Sequence, residues 1–329
     1  MQRRTFLALG AAMGLASAGL LSGCQDKKTM TVVVPFAPGG GGDVLARLVL
    51  QPLGAEVGRS VVIMNRPGAG GNVGTRAVAR ITRGEGQFVY VTNGTLCVNK
   101  HLYGAEAGGE PFDPAARLQP VAAFTRMPLV MALKPGAIEG VTDYESLLAW
   151  GRAHPGKLAC ASAGVGTTSH MACALFSAMT GIALNHIPHA GGAAASKEVL
   201  AGRVPFFIDV APNVLPLVRD GRLKALAVTS KSRSTLLPQT PALAELGLEA
   251  FDLYAWDGLA ASENVPGSDT SLVHDAVNRI LEKSEVRQRL QKLGAEPMPM
   301  STADFAKFIQ NEGPRWENLV VKFVRPAMK

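Results

Sequence analysis

Short β-branched runs alternate with helix-period segments from residue 31 onward, and this alternation constrains the fold more than any other feature of the chain. Strands separated by helices build βαβ units, which layer into an α/β fold with mainly parallel sheets. The strands read as 31–34, 60–64, 87–92, 129–133, 158–162, 205–210 and 224–229. Thr142, Asp143, Tyr144 and Glu145 form a capping-box pattern ahead of Leu147 and Leu148, and His154, Pro155 and Gly156 stop that helix. Ser301 and Asp304 make a similar pair before Phe305, Phe308 and Ile309. Residues 271–293 carry apolar side chains at helical spacing up to Gly294. Two apolar segments, 120–133 and 251–261, lack that period and read as crossings between two lobes. On this reading lobe one is 31–123 with 254–329, and lobe two is 124–253.

Residues 1–23 read as an export signal rather than as part of the fold. Arg3 and Arg4 precede Thr5, Phe6 and Leu7 in a twin-arginine pattern, and the apolar stretch 7–21 is shorter than the about 20 residues a spanning helix needs. Leu21, Ser22, Gly23 and Cys24 resemble a lipobox, with cleavage before Cys24, acylation of its thiol and 24–30 as a tether. A lipid at Cys24 makes a membrane one partner and sets the protein in the periplasm or at the cell surface. Loss of Arg3 and Arg4 leaves 31 of the 33 Lys and Arg against 26 acids, a net charge near +5. No basic run or stripe accompanies it, so nucleic acid is excluded as a partner and a weak preference for anions remains. Cys97, Cys160 and Cys173 have apolar neighbours and no ligand spacing; they read as buried small side chains, with a disulfide between two of them left open.

Three glycine-rich loops follow strands and precede helices: Pro35-Phe36-Ala37-Pro38-Gly39-Gly40-Gly41-Gly42-Asp43, Asn65-Arg66-Pro67-Gly68-Ala69-Gly70-Gly71-Asn72, and Ser162-Ala163-Gly164-Val165-Gly166-Thr167-Thr168. Glycine lets main-chain amides approach a ligand, and a helix start adds unpaired donors and a positive dipole end. None of the loops supplies a lysine, and Arg66 is their one arginine, so a carboxylate suits them better than a phosphate. A helix terminus contributes roughly 0.3–2 kcal/mol and a hydrogen bond to a charged group roughly 1.5–3 kcal/mol, enough for micromolar binding from four or five bonds.

Other chemistries fit less well. No glycine loop runs into Lys followed by Ser or Thr, and Gly164-Val165-Gly166-Thr167-Thr168-Ser169 misses the last position of a dinucleotide fingerprint. Cys160-Ala161-Ser162-Ala163-Gly164 lacks the first glycine of a nucleophile elbow, which leaves an α/β hydrolase using Ser162 with Asp209 or Asp252 and His274 as a remote alternative. His170, His186 and His189 lack metal-site spacing, so no metal, no cofactor and no enzymatic activity are expected.

Taken in order, the loops resemble those of the Bug family, the extracytoplasmic solute receptors of tripartite tricarboxylate transporters. The resemblance rests on Val34-Pro35-Phe36 with Gly39, Gly40, Asp43 and Arg47, the second and third glycine loops, Leu226-Ala227-Val228-Thr229 with Arg233, and Pro238, Thr240-Pro241, Glu245, Gly247, Trp256 and Gly258-Leu259-Ala260. It implies a two-lobed α/β periplasmic-binding-protein fold of Venus-flytrap, type II-like form, which shuts on a small carboxylate or amino acid and hands it to transporter membrane subunits as a monomer. Carried over by position, Phe36, Pro38, Gly39, Gly40 and Asp43 line one side of the cleft and Gly68, Ala69 and Gly70 continue it. Ser162, Gly164, Gly166, Thr167 and Thr168 face them, and Asp209 meets a ligand amine or hydroxyl. Where the family reads P-Y-K-G this chain has Pro188-His189-Ala190-Gly191, and Gly84-Glu85-Gly86-Gln87-Phe88-Val89 replaces another family stretch. His189 is expected at the cleft, making affinity pH-dependent. A surface lipoprotein acting as sensor or scaffold, with a degenerate cleft, is the alternative.

Overall fold

The computed structural model describes residues 29–83, 85–103 and 113–325; the export signal and Cys24 lie outside them. The strands are β1 (Met30–Val34), β2 (Val61–Asn65), β3 (Phe88–Thr92), β4 (Leu118–Leu133), β5 (Leu158–Ser162), β6 (Leu184–Pro188), β7 (Phe206–Val210), β8 (Lys224–Val228), β9 (Tyr254–Ser262) and β10 (Glu296–Pro297). The helices are α1 (Gly41–Val57), α2 (Asn72–Ala79), α3 (Asn99–Tyr103), α4 (Tyr144–Ala153), α5 (Thr168–Thr180), α6 (Gly192–Leu200), α7 (Ala211–Arg219), α8 (Gly267–Glu282), α9 (Ser284–Lys292) and α10 (Thr302–Leu319).

The strands run in the order β2-β1-β3-β9-β4-β7-β5-β6, with β8 and β10 also on β4. Parallel ladders join β1 to β2 and β3, and β5 to β6 and β7, as βαβ units require. Every antiparallel ladder involves β4 or β9, the two segments read as crossings. β4 pairs with β9 as far as Pro128, whose missing amide hydrogen ends the ladder, and from Leu129 it pairs with β7 and then β8. One strand thus belongs to both halves of a two-lobed α/β fold. Thr229 fastens the changeover: its hydroxyl accepts from Leu129 N at 2.8 Å and donates to Leu253 O at 2.6 Å.

Several local expectations need correction. The α4 cap is Asp143, with Ser146 as its partner: Ser146 N donates to Asp143 Oδ1 at 2.9 Å and Asp143 N to Ser146 Oγ at 3.0 Å. Glu145 takes no part in the box, and Thr142 joins it only through its amide, which donates to the same Ser146 Oγ at 3.0 Å. Residues 271–293 form two helices, since Lys283 drops into extended backbone (φ −61°, ψ 129°). β6 was not anticipated. Cys160 on β5 is disulfide-bonded to Cys173 on α5, so of the three cysteines read as buried only Cys97 is a free thiol, which burial pushes up to about 12. Among the described residues no helix is long and apolar enough to cross a membrane.

Candidate functional site

A cavity of about 290 Å³ opens between the strand ends of the two halves. The N-termini of α1, α5 and α6 converge on it through Gly40–Gly42, Thr167–Ser169 and Gly191–Ala194. First-turn amides have no intrahelical carbonyl to bond, so three positive helix ends face one space. The Gly41 amide already donates to Asn213 Oδ1 at 2.8 Å across the cavity. Most of the wall is apolar, with Phe36, Leu45, Met127, Val210 and Trp256 contributing to it.

Buried networks hold the loops behind this wall. Asp43 accepts from Gly39 N at 3.0 Å, from Arg47 Nε at 2.9 and 3.0 Å and from Asn65 Nδ2 at 2.7 Å, and Asn65 Nδ2 also donates to Phe36 O at 2.9 Å. Burial alone would lift the Asp43 carboxyl, but these donors outweigh it and hold the group below its ordinary value. In the third loop Ser162 Oγ accepts from Gly164 N at 3.2 Å and lies 2.6 Å from His186 Nε2, while Gly166 N donates to His170 Nδ1 at 3.3 Å. The His170 and His186 rings stack at 4.1 Å. Burial pushes His170 down to about 3 and His186 to about 4, so both are neutral at physiological pH, and His170 Nδ1 can accept.

Two buried acids lie on the cavity. Asp209 accepts from Val210 N and Asn213 Nδ2, each at 2.8 Å, and burial raises it to about 6 against those bonds. Asp257 accepts from Tyr90 Oη at 2.6 Å and from Thr125 N and Oγ1 at 3.0 and 2.9 Å, and burial lifts it to about 6 as well. Lys197, one turn beyond Ala193 on α6, is the one cation among the lining residues.

Of the residues singled out in the sequence, Phe36, Pro38, Gly40, Gly70, Thr167, Thr168 and Asp209 line the cavity. Gly39, Asp43, Gly68, Ala69, Ser162, Gly164, Gly166 and His189 stand outside the lining. Most of these support it: Asp43 pins the first loop, Ser162 staples the third, and Gly166 (φ +82°) carries that loop past Asn99. His189 donates its amide to Ser162 O at 3.0 Å, and its ring Nδ1 is buried without a partner. The sequence reading missed Asn93, Asn213, Asp257, Lys197 and the Gly191-Gly192 turn. Only the last carried a signal, being a fourth glycine-bearing turn between a strand and a helix. The hydrolase alternative is corrected by geometry: His274 is engaged by Met300 O, Asn278 and Asp275, far along the chain from Ser162 and bonded to none of its neighbours.

Residues 45–324 match the profile described as the tripartite tricarboxylate transporter family receptor. The chain belongs to this family. It is 32% identical to Protein BugT of Bordetella pertussis over 295 residues, covering 89% of this chain and 88% of BugT. Its fold is similar to that of an R. palustris protein solved with adipate (TM-score 0.82, 30% identity, 89% of this chain and 96% of that one). MatC from Rhodopseudomonas palustris, solved with bound malate, is similar in the same way (TM-score 0.81, 30% identity, 89% and 98%). The protein is therefore a periplasmic solute receptor of the Bug type, and the family is one of receptors rather than enzymes.

Proposed function

We propose that this receptor captures a small carboxylate in the 290 Å³ cavity and presents it to the membrane subunits of a tripartite transporter. The observation that carries the reading is the convergence of the α1, α5 and α6 N-termini on one mostly apolar space: donors for an acid group beside walls for a carbon chain. The adipate and malate bound by similar proteins are acids of this kind. The passage of β4 and β9 between the halves supports lobe one as 31–123 with 254–329 and lobe two as 124–253. The Leu21-Ser22-Gly23-Cys24 run supports a lipid tether at Cys24, placing a monomeric receptor at a membrane surface.

A thermal-shift screen of adipate, malate and amino acids tests the reading, because a ligand specific for the native state stabilises it by about 2.7 kcal/mol at a hundred times its Kd. A cognate acid should raise the melting temperature by several degrees. No shift with any acid would leave the cleft without a function and favour the scaffold alternative.

Asp209 supplies a second check. Its carboxyl, raised to about 6, repels a plain dicarboxylate when ionised and donates to it when protonated. Affinity for such an acid should therefore fall between pH 6 and 8, by at most about 50-fold if binding requires the proton. Asp209→Asn should reduce the slope to what Asp257, raised to about 6 on the same cavity, contributes. An ammonium-bearing ligand would show the reverse trend, so calorimetry at several pH values separates the two ligand types.

A further inference from the structure

Asn93 follows β3 and opens the π-helical turn Gly94–Val98 at the cavity wall. Its side chain is fully buried. Thr168 Oγ1, from the N-terminus of α5 in the other half of the molecule, donates to Asn93 Oδ1 at 2.9 Å. That bond fixes which end of the amide is used up. Nδ2 is left without any partner, although it belongs to a residue lining the cavity. A buried amide donor carries a penalty until something accepts from it, so the site is incomplete until an acceptor arrives. The first-turn amides of Thr168 and Ser169, which also line the cavity, are donors as well.

We propose that Asn93 is a specificity-determining residue of the cleft, whose Nδ2 donates to a ligand carboxylate oxygen and is aimed by the Thr168 hydroxyl across the lobes. The assignment rests on the carboxylate reading above and adds a recognition element that no glycine loop supplies. It also couples recognition to closure, because Asn93 follows β3 in one half and Thr168 opens α5 in the other. An acid at this position would face both the ligand and the Thr168 oxygen with acceptors only. Asparagine donates on one side while accepting on the other.

Calorimetric titration with adipate and malate, alongside circular dichroism to establish folding, tests the assignment on Asn93→Ala, Asn93→Asp, Thr168→Val and Thr168→Ser. Asn93→Ala should weaken binding by about tenfold or more, the loss typical of one charge-assisted bond. Asn93→Asp should weaken it by about 100-fold at pH 8 and regain part of the loss at pH 5, where the new carboxyl protonates. The parent also gains affinity over that range through Asp209, so the assignment requires Asn93→Asp to regain more than the parent does, which a packing role would not produce. Thr168→Val should lose several-fold and Thr168→Ser should restore it, since only the serine keeps the donor. Folded Asn93 variants that bind within about twofold of the parent would overturn the assignment alone. An unsubstituted receptor that binds no acid at all would bring down the carboxylate reading and this residue's role with it.

Discussion

Gly70→Val is expected to abolish ligand binding while leaving a folded protein. Gly70 has φ +60°, where a β-branched residue is strained, and a Cβ there would overlap the carbonyl oxygen of Val165. The collision is between the loop after β2 and the loop after β5, which come from different halves of the molecule. Separating the lobes relieves it without disturbing either core. The closed form would then be scarce, and apparent affinity falls with the competent fraction, so an overlap worth about 3 kcal/mol lowers it by more than about 100-fold. Small-angle scattering should show a larger radius of gyration and calorimetry no binding, with an unchanged far-ultraviolet spectrum. Gly39→Val is the informative control, because its Cβ would meet nothing within 4 Å and only the φ of +78° strains it. Parent-like affinity for Gly70→Val with unchanged scattering would mean that the loops need not meet for capture.

Asp257→Ala should be among the most destabilising single changes outside the apolar core. It strands the Tyr90 hydroxyl and both the amide and hydroxyl of Thr125, all buried. Leaving such a network half made costs about 3–5 kcal/mol, which lowers the melting temperature of a chain this size by roughly 5–8 °C. The acid itself gives stability a pH dependence of definite sign. Burial lifts Asp257 to about 6, with the Tyr90 and Thr125 bonds pulling it back, and Asp209 is raised to a similar value. The folded state therefore holds these protons more tightly than the unfolded chain does. Their contribution is complete below about pH 4 and is lost as pH rises through about 6. Lowering the pH from 7.5 to 5.5 adds stability through these acids but loses more through His170 and His186, held at about 3 and about 4, because the unfolded chain takes up their protons near about 6.5. The acid's share is read from Asp257→Asn, whose melting temperature should fall further than the parent's over that window. Equal changes in the parent and Asp257→Asn across that window would show that Asp257 is not perturbed as its burial implies.

What could be read in advance follows from where the constraints lie. The parallel ladders announced themselves because buried strands are continuous apolar runs, and β4 and β9 stood out as apolar stretches without helical period. β6 escaped notice because it closes one end of the strand order and is half exposed, so Asn185 and His186 interrupt its apolar pattern without penalty. The glycine turns were legible for a similar local reason: positive φ at Gly70, Gly164 and Gly166 is a requirement written into residue type. Asn93 and Asp257 were not legible. They meet at the cavity because Thr92 stands opposite Asp257 in the β3–β9 ladder, a register that no single segment records. Lys197 reads as an ordinary exposed helix lysine until α6 is placed against the cleft.

The cross-link between Cys160 and Cys173 encloses the whole third glycine loop, from Ser162 to Thr168, within one covalent ring. In the chain-entropy account a ring of this length restrains the unfolded chain by about 3 kcal/mol. The stability of the fold around that loop is thereby tied to the redox state of the surroundings in which the chain matures. Stability measured with and without a reductant is therefore expected to differ, the oxidised form being the one an oxidising compartment maintains.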